Sequence, residues 1–338
     1  MMPLRALDLT LCDQPPRPPD WIVEGLLERG GVCILSGDTG ASKSLVALSI
    51  CVAVIRGVPW LGRAVKAGGV IVCDAEMVER VAVERLRGFG VRGSDGNRFA
   101  YLSRQAIDLQ DPQAVAALRD LSRARQARVL VLDALMGHAP GVDVNDNSSA
   151  VALYAEVLRP LAAELQLAVL LVHHESKAKA GLRDSSQATM GARQWVAQAD
   201  VQVTLERAGR RNSSRAELSD GSTLTTYRVR LRLPKRRDAP DGGEFEPLAV
   251  TSRHEPDRAL DWIKVERDQT PTAEPAARDH DQARAEQLGR FVKAKGRATT
   301  AEMAAELEMQ PSWGTFKAAR DRALAMNLFE RVERGVYR

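Results

Sequence analysis

One eight-residue segment constrains the fold of this chain more than any other. Residues 37–44 read Gly-Asp-Thr-Gly-Ala-Ser-Lys-Ser; they follow an apolar run that ends at Leu35, and a helical pattern begins near Lys43. The spacing is that of GxxxxGK followed by Ser or Thr, with Ser42 where the last glycine is expected. Such a loop surrounds phosphate oxygens with backbone N–H groups, while the Lys neutralises charge and the final hydroxyl contacts Mg²⁺. The sequence therefore predicts a modified phosphate-binding loop made of Gly37, Asp38, Thr39, Gly40, Ala41, Ser42, Lys43 and Ser44.

Two other apolar runs end in carboxylates. Residues 129–132 lead into Asp133, which is typical of a Walker B strand whose aspartate holds the magnesium shell. Residues 70–73 lead into Asp74 and then Glu76. Glu76 is predicted to orient and deprotonate a water beside the γ-phosphate; the alternative is a solvated acidic loop.

The order of the apolar runs predicts the fold class. Up to about residue 251, strand-length runs alternate with segments of helical period, which indicates an α/β fold with a mostly parallel sheet and helices on both faces. Segments near 200–205, 226–233 and 247–250 lack intervening helices and are predicted to extend one edge as antiparallel strands. At 338 residues, with 44% apolar and 27% charged residues, the chain is neither disordered, collagenous nor a small disulfide scaffold.

Shifts in composition predict four regions: a proline-rich segment over 1–28, a P-loop domain over 29–256, a linker over 257–283 and a small domain over 284–338. Within the last region, a capping box at Thr299 and Glu302, two helices and a hairpin follow one another in the order of a winged helix-turn-helix. Its third helix would present DNA-contacting residues, above all Lys317 and Arg320. The alternative is that this domain docks a protein partner.

Charge is the next feature. The net charge is only +4, but ten Lys or Arg lie between residues 207 and 237, which makes an anionic partner plausible there. Arg228, Arg230 and Arg232 share one face of a predicted strand; we rank a solvated face first, a subunit interface second and DNA last.

The longest apolar run, residues 45–55, is too short to span a bilayer, and we see no secretory signal, so we expect a cytoplasmic protein without a membrane partner. The cysteines form no CxxC pair, which makes sulfur-bound metal unlikely.

Together these segments resemble the RecA-like hexameric ATPases of the plasmid RepA helicase type, relatives of the DnaB and T7-type replicative helicases and of phage and mobile-element ATPases. The resemblance spans about residues 20–250 and includes residues 73–77, 131–135, 145–147 and 171–177, the last with His173-His174 after an apolar strand. It implies that Lys43 and Ser44 bind phosphate and Mg²⁺, that Asp133 holds the metal shell and that Glu76 is the catalytic carboxylate. One of His173 and His174 would sense the γ-phosphate and relay its state to a DNA-contacting loop.

The same resemblance implies a basic finger that enters the neighbouring subunit's active site. Lys235, Arg236 and Arg237 occupy its position; we expect Lys235 and one of the two arginines to act, and the alternative is a solvated basic turn. The basic segment 176–187, with Lys177, Lys179 and Arg183, would follow a DNA backbone in a ring channel. Met190 stands where relatives carry an arginine, which weakens claims about that loop's contacts.

The expected function is therefore an ATP-hydrolysing, DNA-dependent motor, most simply a ring-forming, hexameric helicase that replicates a plasmid, phage or other mobile element. Its cofactors would be ATP and Mg²⁺. Its partners would be single-stranded DNA in the channel, duplex DNA at the winged helix, further copies of the chain, and a primase or replication initiator. Two alternatives remain: a nucleotide-gated DNA-binding regulator with little hydrolysis, which Ser42 and Met190 favour, and a RecA-like recombination accessory.

Overall fold

The computed structural model describes residues 8–337 except 17, 144–145, 174–193, 209–212, 237–244, 258, 270–275, 308–313, 327 and 334–335. The chain divides into two compact units, Met1–Gln269 and Thr270–Arg338. In the described part of the chain, no helix has the length and apolar character needed to cross a bilayer.

A mixed sheet of ten strands dominates the described residues of the first unit. Its order is β12 (Leu260–Arg267), β11 (Glu246–His254), β10 (Thr223–Arg236), β8 (Val201–Arg207), β3 (Val32–Gly37), β7 (Ala168–Val172), β6 (Ala127–Asp133), β4 (Gly69–Asp74) and β5 (Phe99–Ser103), and β9 (Ser213–Glu217) pairs with β10. The parallel strands are β3 (Val32–Gly37), β4 (Gly69–Asp74), β5 (Phe99–Ser103), β6 (Ala127–Asp133), β7 (Ala168–Val172) and β8 (Val201–Arg207). Because parallel strands share a direction, the carboxyl ends of β3, β4, β6 and β7 meet along one edge of the sheet.

The antiparallel strands at one side of the sheet are β9 (Ser213–Glu217), β10 (Thr223–Arg236), β11 (Glu246–His254) and β12 (Leu260–Arg267). The predicted antiparallel extension is therefore present, but β8 differs from the expectation because it pairs in parallel with β3. β12 lies within the predicted linker, where Leu248 to His254 of β11 provide its hydrogen-bonding partners. Polar residues at Asp261, Lys264 and Glu266 hide this strand from a search for apolar runs.

Helices cover both faces of the sheet, as the alternation of patterns predicts. They are α1 (Lys43–Arg56), α2 (Glu79–Gly88), α3 (Pro112–Ala124), α4 (Asn147–Leu153), a π-helical turn (Tyr154–Leu158), α5 (Arg159–Leu165) and α6 (Gln194–Gln198). Strand residues alternate between two cores: Val70 and Val72 pack in the core that contains α1, whereas Ile71 and Cys73 face the core that contains α4 and α5. Mostly parallel strands, two helical layers and an antiparallel edge make this a RecA-like P-loop core.

The first residues of the described chain differ from the predicted proline-rich segment. Strands β1 (Trp21–Val23) and β2 (Leu27–Glu28) form an antiparallel pair. Ile22, Val23, Leu26 and Leu27 are buried in the core beside α1. The structured part therefore begins before residue 29, because these four apolar side chains complete one face of the sheet.

The second unit consists of α7 (Ala276–Lys295), β13 (Ala298–Thr299), α8 (Thr300–Glu306), α9 (Gly314–Ala325), β14 (Arg331–Glu333) and β15 (Val336–Tyr337). Its strands form a small sheet of order β13-β15-β14. The predicted capping box is present: the Thr299 hydroxyl accepts from the Glu302 N–H, and the Glu302 carboxylate accepts from the Thr299 N–H. Phe316, Met303 and Leu288 are fully buried in this unit's own core.

Candidate functional site

The phosphate-binding loop joins β3 to α1, as the sequence predicts. Gly37 and Gly40 have positive φ angles of 151° and 77°, and Ser42 adopts the left-handed conformation with φ 60°. A Cβ on Gly37 would lie 2.2 Å from the Leu205 carbonyl oxygen, so the path of β8 requires glycine there. Ser42 precedes the first turn of α1 and its side chain makes no capping hydrogen bond. The last-glycine position thus needs a conformation that serine adopts only at a cost in backbone energy.

Lys43 points back over this loop. Its ammonium donates to the carbonyl oxygens of Gly37 at 2.8 Å and Asp38 at 2.9 Å, and the residue is only 5% exposed. A buried ammonium held on backbone carbonyls at a helix N-terminus is well placed to meet an anionic ligand.

Arg207, which sequence analysis did not single out, also contacts the loop. It ends β8, and its guanidinium donates to the Thr39 carbonyl oxygen. A Cβ on Gly40 would lie 2.3 Å from the Arg207 Nη2 atom, so Gly40 makes room for this side chain. Nothing in the local sequence could have identified Arg207, because 168 residues separate it from Thr39.

Asp74 and Asp133 end neighbouring strands and lie opposite one another in the register of β4 and β6. Asp133 is 9% exposed and interacts with the Ser44 hydroxyl at the start of α1. Burial, together with the charges of Asp74 and Glu76, raises the pKa of Asp133 to about 6, although the Ser44 hydrogen bond and Lys43 oppose the shift. The structure therefore brings together Lys43, Ser44, Asp133 and Glu76, which the sequence predicts for one site.

The Asp133 carboxylate beside the Ser44 hydroxyl fits the magnesium ion that a P-loop fold implies. Repulsion among the carboxylates and their removal from water are the causes of the raised Asp133 pKa, and a divalent cation would offset both. Among the described residues no cluster of three or more His, Cys, Asp or Glu forms a complete metal site. Mg²⁺ takes one or two protein oxygens and completes its shell with phosphate and water, so Ser44 and Asp133 are the residues that would hold it.

Glu76 lies on a tight turn after β4. One oxygen of Asp74 accepts from the N–H groups of Glu76 at 2.9 Å and Met77 at 2.8 Å. The other oxygen accepts from the Tyr101 hydroxyl at 2.5 Å, and the Ser103 hydroxyl donates to the Met77 carbonyl oxygen at 2.7 Å. The Glu76 side chain itself is exposed at the edge of the site.

His138, which sequence analysis also missed, is hydrogen-bonded to the backbone at the end of β4. Its ring lies 3.0 Å from the Cys73 carbonyl oxygen through Nε2, and the Ile107 N–H donates to Nδ1 at 3.0 Å. This arrangement assigns the proton to Nε2. Burial lowers the pKa of His138, so the ring is neutral at physiological pH.

His173 follows β7 at the same edge of the sheet. It is 2% exposed, and its backbone N–H donates to the Leu35 carbonyl oxygen at 2.9 Å. Its ring packs 6.3 Å from that of Trp195 on α6, and the Tyr154 hydroxyl donates to the Trp195 carbonyl oxygen at 2.8 Å. His173 thus links the phosphate-loop edge of the sheet to α6. His174 lies outside the described residues.

The candidate finger residues lie at the end of β10. The Lys235 ammonium donates to the carbonyl oxygens of Val196, Ala197 and Ala199, at 3.1, 2.7 and 2.7 Å. The Arg236 guanidinium stacks 5.3 Å above the Trp21 ring. Both side chains therefore have partners within their own chain, and Arg237 lies outside the described residues.

The remaining candidates fall in three groups. Lys177, Lys179, Arg183 and Met190 lie outside the described residues. On α9, Lys317 is exposed, whereas the Arg320 guanidinium donates to the Asp321 carboxylate at 2.8 Å. Arg228 and Arg230 share the predicted face of β10, where they are half-buried and pair with Asp268 at 3.2 Å and Glu206 at 3.0 Å.

Comparison with known proteins places this site in a family. No curated protein matches the chain. Among solved structures, a KaiC-like protein from the hyperthermophilic archaeon Pyrococcus horikoshii is similar at a TM-score of 0.45 and 13% identity, over 73% of this chain and 94% of that one. The AAA_25 family, described as an AAA domain, matches residues 2–180, which include the phosphate loop, Glu76 and Asp133. The chain therefore belongs to this family of AAA-type P-loop ATPases.

Proposed function

We propose that this protein is an ATP-driven motor that acts on DNA as a ring of identical subunits. The observation that carries the proposal is the convergence of Lys43, Asp133 and the Glu76 turn at the carboxyl ends of β3, β6 and β4. Those groups are the ones that phosphoryl transfer to water requires: a cation on the phosphates, a carboxylate beside the metal position and a carboxylate beside the attacking water.

The chain's own residues have distinct tasks in this reaction. The loop N–H groups and the start of α1 bind the phosphates, and Lys43 exchanges the carbonyls of Gly37 and Asp38 for phosphate oxygens. Ser44 and Asp133 would hold Mg²⁺, which when bound supplies charge to the phosphate oxygens. Glu76 accepts a hydrogen bond from the water, orients it in line with the γ-phosphate and takes its proton.

The ATPase part of the proposal is tested with three proteins. We expect DNA-stimulated ATP hydrolysis by the natural sequence, loss of nucleotide affinity in Lys43→Ala, and retained affinity with at least a hundredfold slower turnover, about 10², in Glu76→Gln. Equal turnover for all three proteins would refute the assignment of these residues.

We further propose that the basic end of β10 reaches a neighbouring active site. Its support is the position of Lys235 and Arg236 at the end of a strand, together with the resemblance to ring-forming helicases. Lys43→Ala subunits are mixed with Arg236→Ala subunits, and separately with Arg237→Ala and Lys235→Ala subunits. A residue that acts across the interface restores hydrolysis in mixed rings, since some interfaces then pair one intact loop with one intact finger; a residue that acts within its own chain does not.

The second unit is proposed to be a winged helix-turn-helix that binds duplex DNA. Its support is the element order α7, β13, α8, α9, β14, β15, with β15 between β13 and β14 in the sheet. Exposed Lys317 on α9 is the described residue best placed for a phosphate contact.

A nucleotide-gated regulator remains the second candidate, because the left-handed Ser42 lies at the critical glycine position. A forked duplex separates the two functions: a helicase displaces a strand in an ATP-dependent manner, whereas a regulator only retards the DNA in a gel. Electron microscopy with a non-hydrolysable nucleotide would show closed rings for the motor and filaments for a recombination accessory.

A further inference from the structure

The edge strand β5 holds the turn that carries Glu76. Tyr101 and Ser103 are two residues apart on β5, so their side chains share one face, and they lie opposite Val72 and Asp74 in the register. The Tyr101 hydroxyl donates to the Asp74 carboxylate, and the Ser103 hydroxyl donates to the Met77 carbonyl oxygen. The two side chains therefore fix the first and last residues of the turn 74–77.

The Asp74 carboxylate, at the start of the turn, links β5 to the backbone of Glu76 and Met77. It is 4% exposed, and its second oxygen accepts the N–H groups of Glu76 and Met77. A buried carboxylate with three donors is rigid, because the loss of any donor leaves a desolvated oxygen unpaired. Burial and the bond to Asp74 both raise the pKa of Tyr101, so its hydroxyl stays protonated as a donor.

The Glu76 carboxylate, by contrast, accepts no hydrogen bond and forms no ion pair with any described residue. The turn therefore fixes the point from which the Glu76 side chain starts. Tyr101 lines a small cavity between α1 and the sheet together with Ser44 and Asp133, the residues that would hold Mg²⁺. An error in the turn would therefore move Glu76 relative to Ser44 and Asp133.

We propose that Tyr101 and Ser103 are positioning residues for ATP hydrolysis: they clasp the turn 74–77 so that its backbone aims Glu76 at the attacking water. The inference rests on the proposed ATPase function. The hydrogen bonds of Tyr101 and Ser103 go to Asp74 and Met77, not to the phosphate-binding loop, so we expect the pair to control turnover more than nucleotide affinity. A shift of about 1 Å in a catalytic group is enough to slow turnover by about 10²-fold.

The test uses the full chain with Tyr101→Phe, Ser103→Ala and the double substitution. The matched control is Tyr227→Phe, which removes the same hydroxyl from a tyrosine that is 38% exposed on β10. We expect kcat to fall about 10-fold in each single variant and about 100-fold in the double variant, with KM and the dissociation constant of ATP unchanged. The control keeps the turnover of the natural sequence.

Amide hydrogen exchange supplies a readout that does not depend on activity. The N–H groups of Glu76 and Met77 should exchange about 10-fold faster in the double variant than in the natural sequence, while the strand amides of β4 stay protected. Protection equal to that of the natural sequence would overturn the clasp, whether or not the protein hydrolyses ATP.

The outcomes separate this inference from the proposed function. If the natural sequence hydrolyses no ATP, the ATPase proposal fails, and the exchange measurement alone decides whether the clasp holds the turn. If the natural sequence is active and the double variant turns over equally fast, the inference fails and the ATPase stands. A parallel loss of kcat, ATP affinity and thermal stability would assign Tyr101 and Ser103 a general structural role and also overturn it.

Discussion

Ser42 carries backbone strain at the site where the chain meets phosphate. Its φ of 60° is the left-handed conformation, which costs a residue with a Cβ about 1–2 kcal/mol. We expect Ser42→Gly to bind ATP at least as tightly as the natural sequence, and Ser42→Val to lose most of its affinity because a β-branched residue is a severe outlier at positive φ. Calorimetric titration with ATP measures this; equal affinities for the three proteins would show that the loop does not need this conformation.

We expect the ionised Asp133 carboxylate to lower the stability of the folded protein while it serves ATP hydrolysis. Its pKa of about 6 in the folded protein lies above the ordinary 3.8, so between those values the folded protein holds a proton that the unfolded chain releases. The free energy of unfolding therefore falls as pH rises from about 4 to 6 and stays low above.

Asp133→Asn removes this cost and retains an oxygen for Ser44. Without nucleotide and magnesium, we expect the variant to be more stable than the natural sequence at pH 8, by roughly 2–3 kcal/mol at 1.36 kcal/mol per pKa unit. The advantage should shrink towards pH 4, and ATP hydrolysis should be lost. Denaturant unfolding across this pH range measures it; a constant difference would contradict the assigned pKa.

At the scale of elements, the contact between β3 and β8 sets how closely the phosphate loop packs. Gly37→Ala would drive a Cβ into the Leu205 carbonyl of β8, so we expect a loss of about 2–3 kcal/mol in unfolding free energy and a displaced loop. Gly93→Ala is the matched control, because a Cβ there meets nothing within 4 Å. Urea unfolding of both variants is the measurement, and equal stability would refute the close approach.

The elements that could be predicted are those whose pattern lies within a short stretch of sequence. Buried strands such as β4 and β6 are continuous apolar runs that end in acids, so both the strands and the sheet edge at which Glu76 and Asp133 meet could be predicted. β12 alternates polar and apolar residues at an edge of the sheet, a composition that predicts a linker as readily as a strand. Tyr101, His138 and Arg207 act through contacts between distant residues, which no local pattern encodes.

On the scale of the whole molecule, the DNA contact proposed for the second unit can be tested with a substitution outside the Met1–Gln269 unit. If the second unit binds duplex DNA, Lys317→Ala should weaken binding equally for all sequences and reduce the slope of log affinity against log salt by about one. Basal ATP hydrolysis should not change, because Lys317 belongs to the Thr270–Arg338 unit. Fluorescence anisotropy with labelled duplexes at several salt concentrations measures it, and an unchanged slope would exclude a phosphate contact by Lys317.

The border between the two units falls inside the predicted linker, but the linker was predicted to extend beyond the start of α7. The contact boundary lies between Gln269 and Thr270, whereas the composition shift predicted a linker up to residue 283. The difference has a physical reason: α7 begins at Ala276 with polar residues, and its apolar core residues, Ala285, Leu288 and Val292, come only later.

Strand β10 restricts where this chain can change its length. It extends over Thr223–Arg236 and pairs with β9, β11 and β8, its register to β8 shifting only between Arg232 and Lys235; Val229 and Leu231 lie in the core and the arginines on the opposite face. Because side chains alternate, one extra residue in mid-strand would carry the arginines inward and the aliphatic residues out. Insertions are expected to be tolerated best in the exposed turn before the strand, at residues 218–221, so natural variation in length is expected to collect there.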